Sequence, residues 1–368
     1  MENGSKPDTA RAGIVAAAIV PHAPQLLSMP ETEDLDQVAR VKAKIRQIGD
    51  EMRALDPDLI VVVSNSHGED LAVDCVPALM IHCGDRANGA GKHQGRWLVD
   101  GEAGQQLTAL MMEEGFDPAF SFSNNLGTSF TIAYEFCGFS RDAAFLPVFL
   151  NVYVPPQPSP QRCFAYGKAL ARSFERMGRR TALIVSGGLS HYPATPMYPK
   201  PDLATDQVIF ERMASGNLLY LMSFDAAALD KTGNVESRSL QLMAGAIGDR
   251  KPDHAILEPS WHHIYAVLGW TNLCEDRIYT PLYPGFAARH SELARALNTL
   301  LKDDAAVTAY LRDRGAVAAR FDFTSDQAAA FIKLDEDDLR LNFAVNPMLT
   351  YMVKLRVGDP LKHRTRIK

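Results

Sequence analysis

The sequence predicts an α/β protein with a mostly parallel central sheet flanked by helices, followed by a small all-helical domain. Short apolar runs alternate with amphipathic helical patterns, which is the order of elements in a parallel sheet. Several of these runs end abruptly in glycine, proline or polar residues, as buried strands do. After a proline-containing stretch near Tyr279, the pattern has a helical period throughout. We therefore expect one domain at residues 1–278 and a second at residues 279–368.

The first strand–helix–strand unit is predicted at residues 14–20, 31–55 and 59–63. Apolar residues of the helical segment recur at three- and four-residue spacing, Pro57 ends the pattern, and an apolar run follows at once. Connections of this kind join parallel strands. We expect these two strands to be parallel neighbours.

The remaining elements of the first domain follow a glycine-rich polar stretch. This stretch, residues 84–104, is expected to form a long loop at the edge of the sheet. The pattern then predicts helices at 104–114, 162–177, 203–214, 217–222 and 235–247, and strands at 145–154, 182–185 and 261–269. The segment 162–185 is the helix and strand of a second unit.

Composition and charge argue against several classes of function. The net charge is −6 and the pI about 5.9, so the chain lacks the basic surface that nucleic acids and anionic membranes attract. The five cysteines are scattered without a CxxC pair, which argues against a disulfide framework or a zinc knuckle. The first apolar run lacks the layout of a signal peptide. We expect a cytoplasmic protein that binds neither nucleic acid nor membrane.

Histidines follow three of the predicted strands. His22 and His67 come after the first two strands, and His191 follows the strand at 182–185 after two glycines; Glu236 begins the helix at 235–247. Ligands bind at the carboxyl ends of parallel strands, where such loops converge. Two imidazoles and one carboxylate form the facial triad that holds non-haem Fe(II). The residues alone leave simpler interpretations open, namely loop histidines with structural hydrogen bonds and a carboxylate favoured by the helix dipole.

Four short motifs, in this order, resemble those of the class III extradiol ring-cleavage dioxygenases. They are Pro21-His22-Ala23-Pro24, Ser66-His67-Gly68, Gly187-Gly188-Leu189-Ser190-His191 and Gly233-Asn234-Val235-Glu236. The likeness is strongest to the β subunit of protocatechuate 4,5-dioxygenase and extends over roughly residues 12–269. In the tail, residues 293–297 and 345–349 are similar to the α subunit of the same enzyme, as if the two subunits were fused.

The resemblance implies a function for four of these residues. It implies that His22, His67 and Glu236 bind Fe(II) and that His191 acts as the acid or base that moves substrate protons. It implies a small aromatic diol and O2 as substrates. An exposed helical appendage would favour a homodimer or a higher homo-oligomer.

One position departs from the family pattern. Many relatives carry a histidine that contacts the substrate hydroxyl, and here the matching position is Leu126. Asn125, Thr128, His93 and Tyr192 are the candidates to replace it in substrate binding. Alternatively, the substrate is a dihydroxypyridine or a hydroxypyridone, which ionises differently from a protocatechuate- or gallate-like catechol.

Two further features are weaker. Asn65 shares the predicted loop with His67 and could face the metal pocket. His262 and His263 are adjacent on a predicted strand, so we expect at most one of them to line the site. Other functions remain open at this level: a non-catalytic metal- or ligand-binding member of the same fold, and a zinc hydrolase that uses the same ligands.

Overall fold

The computed structural model describes residues 12–65, 75–123, 125–273 and 288–358. The predicted ligand His67 lies outside these residues. The chain divides into two compact units, Met1–Asp276 and Arg277–Lys368, whereas the sequence placed the boundary between residues 278 and 279. Each unit is described by itself below.

The first unit contains an eight-stranded sheet and a three-stranded sheet. The strands are β1 Gly13–Val20, β2 Leu59–Ser64, β3 Leu79–His82, β4 Arg86–Gly89, β5 Gly95–Leu98, β6 Ala119–Ser121, β7 Asn125–Leu126, β8 Leu146–Leu150, β9 Arg180–Ser186, β10 His254–Pro259 and β11 Ile264–Trp270. The large sheet has the order β10-β11-β1-β9-β2-β8-β3-β6, and the small one the order β5-β4-β7. The four central strands, β1, β9, β2 and β8, are all parallel.

The helices of the first unit cover both faces of the large sheet. They are α1 Gln25–Ser28, α2 Leu35–Ala54, α3 Gly101–Glu113, α4 Thr128–Phe136, α5 Pro160–Met177, α6 Leu203–Ala214, α7 Ala226–Lys231 and α8 Ser237–Ile247, with short 3₁₀ turns at Gly91–His93 and Leu218–Ser223. One apolar cluster joins α3, α5 and α8 to one face, and another joins α2 and α4 to the opposite face. Alternate residues of β9 enter the two clusters, as the pleat requires. The predicted α/β class is confirmed.

Two expectations about the sheet were wrong, and several strands were not predicted. β1 and β2 are parallel but not neighbours, because β9 pairs with both of them and lies between them. Residues 84–104 are not a long loop; they contain β4 and β5, which pair in antiparallel fashion. The edge strand β10 was not predicted, because its hydrophobic alternation is interrupted and its burial is only partial.

Glycines let α8 pack closely against α5. At Gly167 of α5, an added Cβ would lie 1.9 Å from the carbonyl oxygen of Leu242, and at Gly245 of α8 it would lie 2.0 Å from that of Phe164. Only glycine allows the two backbones to approach so closely. The first turn of α8 is thereby held near the carboxyl ends of the central strands.

The second unit is a bundle of short helices, as predicted. They are α9 Ser291–Lys302, α10 Asp304–Arg312, α11 Arg314–Ala318, α12 Ser325–Lys333, α13 Glu336–Phe343 and α14 Pro347–Val357. Their apolar faces form a core of their own, which includes Leu297, Tyr310 and Phe331. The side chains of Asp303, Thr324 and Asn346 accept backbone hydrogen bonds at helix starts, which helps to fix where these short helices begin.

Two properties of the described residues bear on the environment of the protein. Cys75, Cys83, Cys137 and Cys163 are all free thiols. No helix within residues 12–65, 75–123, 125–273 and 288–358 combines the length and the apolarity that a membrane crossing requires.

Candidate active site

The carboxyl ends of the four central parallel strands carry the candidate site. β1 leads to His22, β9 leads to His191, β2 leads to Asn65, and β8 is followed by Tyr153. Glu236 is the residue directly before α8. Because neighbouring parallel strands end at the same edge of a sheet, residues far apart in sequence meet there.

His22 and Glu236 are brought into direct proximity. Nε2 of His22 lies 3.3 Å from Oε1 of Glu236, and the side chains are 6% and 1% exposed. His191 is close to the same carboxylate, with its Nε2 3.6 Å from Oε1. Three of the four residues predicted to carry the chemistry are thus within one buried cluster, and the fourth, His67, lies outside the described residues.

A chain of hydrogen bonds orients the ring of His22. The hydroxyl of Ser186 donates to the carbonyl oxygen of Ser129 at 2.7 Å, so its oxygen is left to accept from Nδ1 of His22 at 2.9 Å. This places the ring proton of neutral His22 on Nδ1 and leaves a lone pair on Nε2, the atom nearest Glu236. Metal-binding histidines are commonly oriented in this way.

Two donors hold the carboxylate of Glu236. The backbone N–H of Gly188 donates to Oε2 at 2.6 Å, and the phenol of Tyr153 donates to Oε1 at 2.8 Å. Burial, together with the charge of Glu236, raises the pKa of Tyr153 well above its ordinary value, so the phenol keeps its proton. The carboxylate is held in one orientation without a salt bridge to lysine or arginine among the described residues.

Both ring nitrogens of His191 have polar neighbours. Nδ1 faces the carbonyl oxygen of Leu189 at 3.2 Å, and because a carbonyl can only accept, Nδ1 carries a proton. Nε2 lies 2.8 Å from the phenol oxygen of Tyr153. Because the phenol has a single proton and donates it to Glu236, its oxygen can accept from Nε2 when that nitrogen carries a proton. The contact therefore favours a protonated Nε2, as expected of a histidine that takes up a proton there.

His263 packs against the glycine turn that carries His191. Its ring centroid is 4.8 Å from that of His191, and its Nε2 is buried without a hydrogen-bond partner among the described residues. Burial, and then the neighbouring His191, lower the pKa of His263 well below its ordinary value, so it is uncharged at neutral pH. A Cβ at Gly188 would lie 2.5 Å from Nε2 of His263, so the turn requires glycine there.

A cavity of about 180 Å³ opens beside this cluster. Its lining among the described residues is made of imidazole, phenol, amide and proline groups: His22, Ala23, Pro24, Gln25, His191, Pro193, Tyr198, His262 and His263. The expectation that at most one of His262 and His263 lines the site was wrong. Both precede β11 and lie in an irregular segment, so the alternation of a strand does not apply to them.

The donor set fits a divalent metal. An imidazole lone pair and a carboxylate oxygen face each other at 3.3 Å, and the amide of Asn65 is fully buried with both polar atoms unpaired among the described residues. Buried groups of this kind normally have partners. Within the part of the chain that the structure describes, no three histidine, cysteine, aspartate or glutamate side chains are grouped so as to hold a metal ion, and the predicted ligand His67 lies outside that part.

Comparison with known proteins identifies the family. Residues 16–268 match the family model described as the catalytic LigB subunit of aromatic ring-opening dioxygenase. This chain belongs to the LigB family. The match contains the predicted site residues from His22 to Glu236, and it confirms the resemblance that the loop motifs indicated. The second unit lies outside the matched residues, so its likeness to an α subunit stays a prediction.

Individual relatives of this LigB-family chain share about a third of its residues over about half of its length. It is 31% identical over 176 residues to a 2,3-dihydroxyphenylpropionate/2,3-dihydroxicinnamic acid 1,2-dioxygenase of Klebsiella pneumoniae, over 47% of this chain and 55% of the relative. It is 32% identical over 192 residues to a protein of the same name from Paraburkholderia xenovorans, over 51% of this chain and 58% of the relative. The chain thus spans a little over half the length of these relatives.

The residues proposed for substrate binding lie in different places. Among the described residues that line the cavity, Asn125, Thr128, Tyr192 and His93 do not appear. Asn125 is exposed on β7, Thr128 begins α4, and the phenol of Tyr192 donates to the carbonyl oxygen of Lys231.

His93 and Leu126 belong to the structural core of this LigB-family chain. His93 contacts Thr131 at 2.7 Å and Glu135 at 3.0 Å, so both its ring nitrogens have partners. Leu126 is fully buried in the cluster beneath α2 and α4. The structure therefore offers no reason to expect His93 to replace the missing substrate-contacting histidine.

Sequence reasoning missed Tyr153 and Ser186, and it did not predict that His263 packs against His191. A signal was available for Tyr153 and Ser186, because each lies at or just beyond the carboxyl end of a predicted central strand. For His263 the signal was weaker, since its role depends on contact with a loop more than 70 residues earlier in the chain.

Proposed function

We propose that this protein is an Fe(II)-dependent extradiol dioxygenase that inserts both atoms of O2 to open a dihydroxylated aromatic or heteroaromatic ring. The observation that carries the proposal is the pair His22 and Glu236: an imidazole lone pair, fixed by Ser186, lies 3.3 Å from a buried carboxylate oxygen. Membership of the LigB family supports the reaction class. His22, His67 and Glu236 would hold the metal.

The residues of the chain divide the work around the ring. When bound, Fe(II) would lower the pKa of a coordinated ring hydroxyl and supply the one-electron chemistry that O2 needs. His191 accepts the second hydroxyl proton at Nε2 and later returns it; the oxygen of Tyr153, whose own proton goes to Glu236, accepts a hydrogen bond from Nε2 while that proton is held. His263 and Tyr198 form walls of the cavity, which the ring would contact.

We further propose that the substrate carries no carboxylate on the side that faces His262 and His263. Among the described residues that line the cavity there is no lysine or arginine, and His262 is already paired with the buried carboxylate of Glu33 at 3.0 Å. A dihydroxypyridine or hydroxypyridone fits this lining better than a protocatechuate- or gallate-like catechol. The named relatives act on 2,3-dihydroxyphenylpropionate, which makes an acidic side chain the competing possibility.

Anaerobic reconstitution tests the reaction class. The purified protein is stripped with a chelator and loaded with Fe(II) under anaerobic conditions. It is then added to aerated buffer that contains one candidate ring, and oxygen uptake is recorded. The rings are 2,3-dihydroxypyridine, 3-hydroxy-4-pyridone, catechol, protocatechuate, gallate and 2,3-dihydroxyphenylpropionate. We expect one O2 consumed per ring opened, with the uncharged rings fastest. Loss of uptake in His22→Ala and Glu236→Ala, but not in the control His254→Ala on β10, is also expected.

Two outcomes would reject parts of this proposal. Turnover confined to protocatechuate, gallate or dihydroxyphenylpropionate would exclude the uncharged substrate class. Fe(II) binding without oxygen uptake for any ring would favour a non-catalytic member of the fold. The feature that supports this alternative is Leu126, which stands where many relatives carry a substrate-contacting histidine.

We also propose that the protein is cytoplasmic and forms a homodimer or a higher homo-oligomer. Four free thiols among the described residues support a reducing compartment. Exposed apolar side chains on α14, including Met348 and Tyr351, support association. Sedimentation velocity at micromolar concentration should show a species larger than 40.5 kDa. A single monomeric boundary would contradict the oligomer.

A further inference from the structure

A buried carboxylate outside the cavity joins the two loops that carry His191 and Glu236. Asp206 lies in the first turn of α6 and its side chain is fully buried. Its Oδ2 accepts from the backbone N–H of Ser190 at 3.1 Å and from the hydroxyl of Ser190 at 2.5 Å. Its Oδ1 accepts from the side-chain amide of Asn234 at 2.9 Å.

Each partner of Asp206 is next to a residue of the candidate site. Ser190 directly precedes His191, and Asn234 lies two residues before Glu236. The backbone reinforces the link, because the N–H of His191 donates to the carbonyl oxygen of Gly233 at 3.2 Å. The two loops are therefore fastened to each other through one carboxylate and one backbone hydrogen bond.

Burial of the Asp206 carboxylate costs free energy that an apolar side chain in its place would not. Burying a carboxylate is unfavourable unless it is fully hydrogen-bonded, and burial raises the pKa of Asp206 to about 6. An apolar residue at this position of α6 could pack without that cost. In return, charge-assisted hydrogen bonds are short and directional, so they hold the two loops in one arrangement.

We propose that Asp206 is a positioning residue that sets the separation between His191 and Glu236. The inference rests on the proposed function of those two residues, but the contacts that carry it are independent of any metal. Asp206 is not among the described residues that line the cavity. It acts through Ser190 and Asn234.

Asp206→Asn is the main test, measured in the full chain. The substitution keeps the shape of the side chain but presents an NH2 group to partners that are themselves donors, so one loop must shift. We expect kcat to fall about tenfold or more, KM to change less than threefold, and the Kd for Fe(II) to rise about tenfold, as when outer partners of a metal ligand are lost. Ser190→Ala should show the same changes to a smaller degree.

Two controls separate positioning from loss of stability. Ile45→Val removes a buried methylene on α2, at the opposite face of the sheet, and costs roughly 0.5–1.5 kcal/mol of stability. It should lower Tm without changing kcat or the Kd for Fe(II). The double variant Ser190→Ala/Asp206→Asn should be no less active than Asp206→Asn alone, because both remove the same link.

A readout in the metal-free protein makes the test independent of turnover. With ¹⁵N-labelled histidine, Asp206→Asn should shift the ring resonances of His191 and leave those of His254 unchanged. Unchanged kcat, Kd and His191 resonances would overturn the inference. A fall in kcat in Ile45→Val as large as that in Asp206→Asn, at a similar loss of Tm, would also overturn it, because activity would then follow stability alone. Failure of the wild-type protein to bind Fe(II) or to consume O2 would reject the proposed function instead, and the resonance shifts would still decide the role of Asp206.

Discussion

The phenolic oxygen of Tyr153 lies 2.8 Å from Nε2 of His191 and 2.8 Å from Oε1 of Glu236. A single hydroxyl thus connects the proposed acid–base residue to a proposed metal ligand. Both groups are buried, Glu236 with 1% and His191 with 6% of its surface exposed, and Tyr153 is a partner that they share. Leaving a buried polar group without its partner costs about 1–3 kcal/mol.

Tyr153→Phe should therefore lower kcat/KM by about tenfold or more, because a buried partner of the proton-carrying nitrogen is lost. Steady-state oxygen uptake over a series of substrate concentrations measures the effect. Tyr192→Phe is the matched control: it removes a phenol that lies directly after His191 but donates to the carbonyl oxygen of Lys231, and it should change kcat/KM less than twofold. Equal effects of the two substitutions would contradict the role given to Tyr153.

Ser186→Ala should weaken metal binding while having little effect on the stability of the fold. The substitution removes the acceptor of Nδ1 of His22, while the carbonyl oxygen of Ser129 keeps the hydroxyl of Ser64 as a donor at 3.0 Å. The loss of ligand orientation should raise the Kd for Fe(II) by about tenfold.

Competition with a chromophoric chelator under anaerobic conditions measures that constant. Ser173→Ala, a buried serine on α5 that contacts Met111, serves as the control and should leave the Kd unchanged. A wild-type Kd in Ser186→Ala would show that the hydrogen bond to His22 does not orient a ligand.

The two glycines before His191 should respond differently to a methyl group. At Gly188, an added Cβ would lie 2.5 Å from Nε2 of His263, whereas at Gly187 the nearest atom, Oε2 of Glu236, would be 3.5 Å away. Gly188→Ala forces the buried ring to move and should cost roughly 1–3 kcal/mol of stability. Gly187→Ala should cost less.

Chemical denaturation of both variants measures the difference in the free energy of unfolding. If the collision with His263 is the cause, His263→Ala should restore part of the stability lost in Gly188→Ala, since the two changes are then coupled. Additive losses in the double variant would rule out this collision as the reason for glycine.

Asp206 should make stability depend on pH between about 4 and 6. Burial is the largest cause that raises its pKa from 3.8 to about 6 in the folded protein, and hydrogen bonds from Ser190 and Asn234 oppose the shift. Between these values the folded state keeps a proton that the unfolded state has lost, so stability falls as the pH rises through this window. A shift of this size corresponds to roughly 3 kcal/mol at most.

The comparison with Asp206→Asn isolates this contribution from the other titrating groups. We expect the free energy of unfolding of the wild type, minus that of the variant, to decrease as the pH is raised from 4 to 7. Urea unfolding at several pH values provides the measurement. A difference that is independent of pH, or that increases, would mean that Asp206 is ionised in the folded state throughout the range.

Much of the fold was predictable because its signals are local. The helix on which Asp206 lies, Leu203–Ala214, was predicted with the bounds that the structure shows, since Asp202 caps its start and its apolar residues recur with a helical period. The loops after β1 and β9 were identified for the same reason. Strand order was not predictable: a parallel connection does not reveal that a third strand, β9, inserts between the two it joins.

The sequence by itself determined the α/β class and the family motifs, because each depends on residues that are neighbours in the chain. Through the resemblance of those motifs it also led to the proposal of His22, His67, His191 and Glu236. Only the tertiary structure decided which groups orient them. Ser186 is 164 residues from His22, and Tyr153 is 38 and 83 residues from His191 and Glu236. Such contacts arise where the ends of parallel strands converge, and that convergence depends on sheet order and packing, which no local pattern encodes.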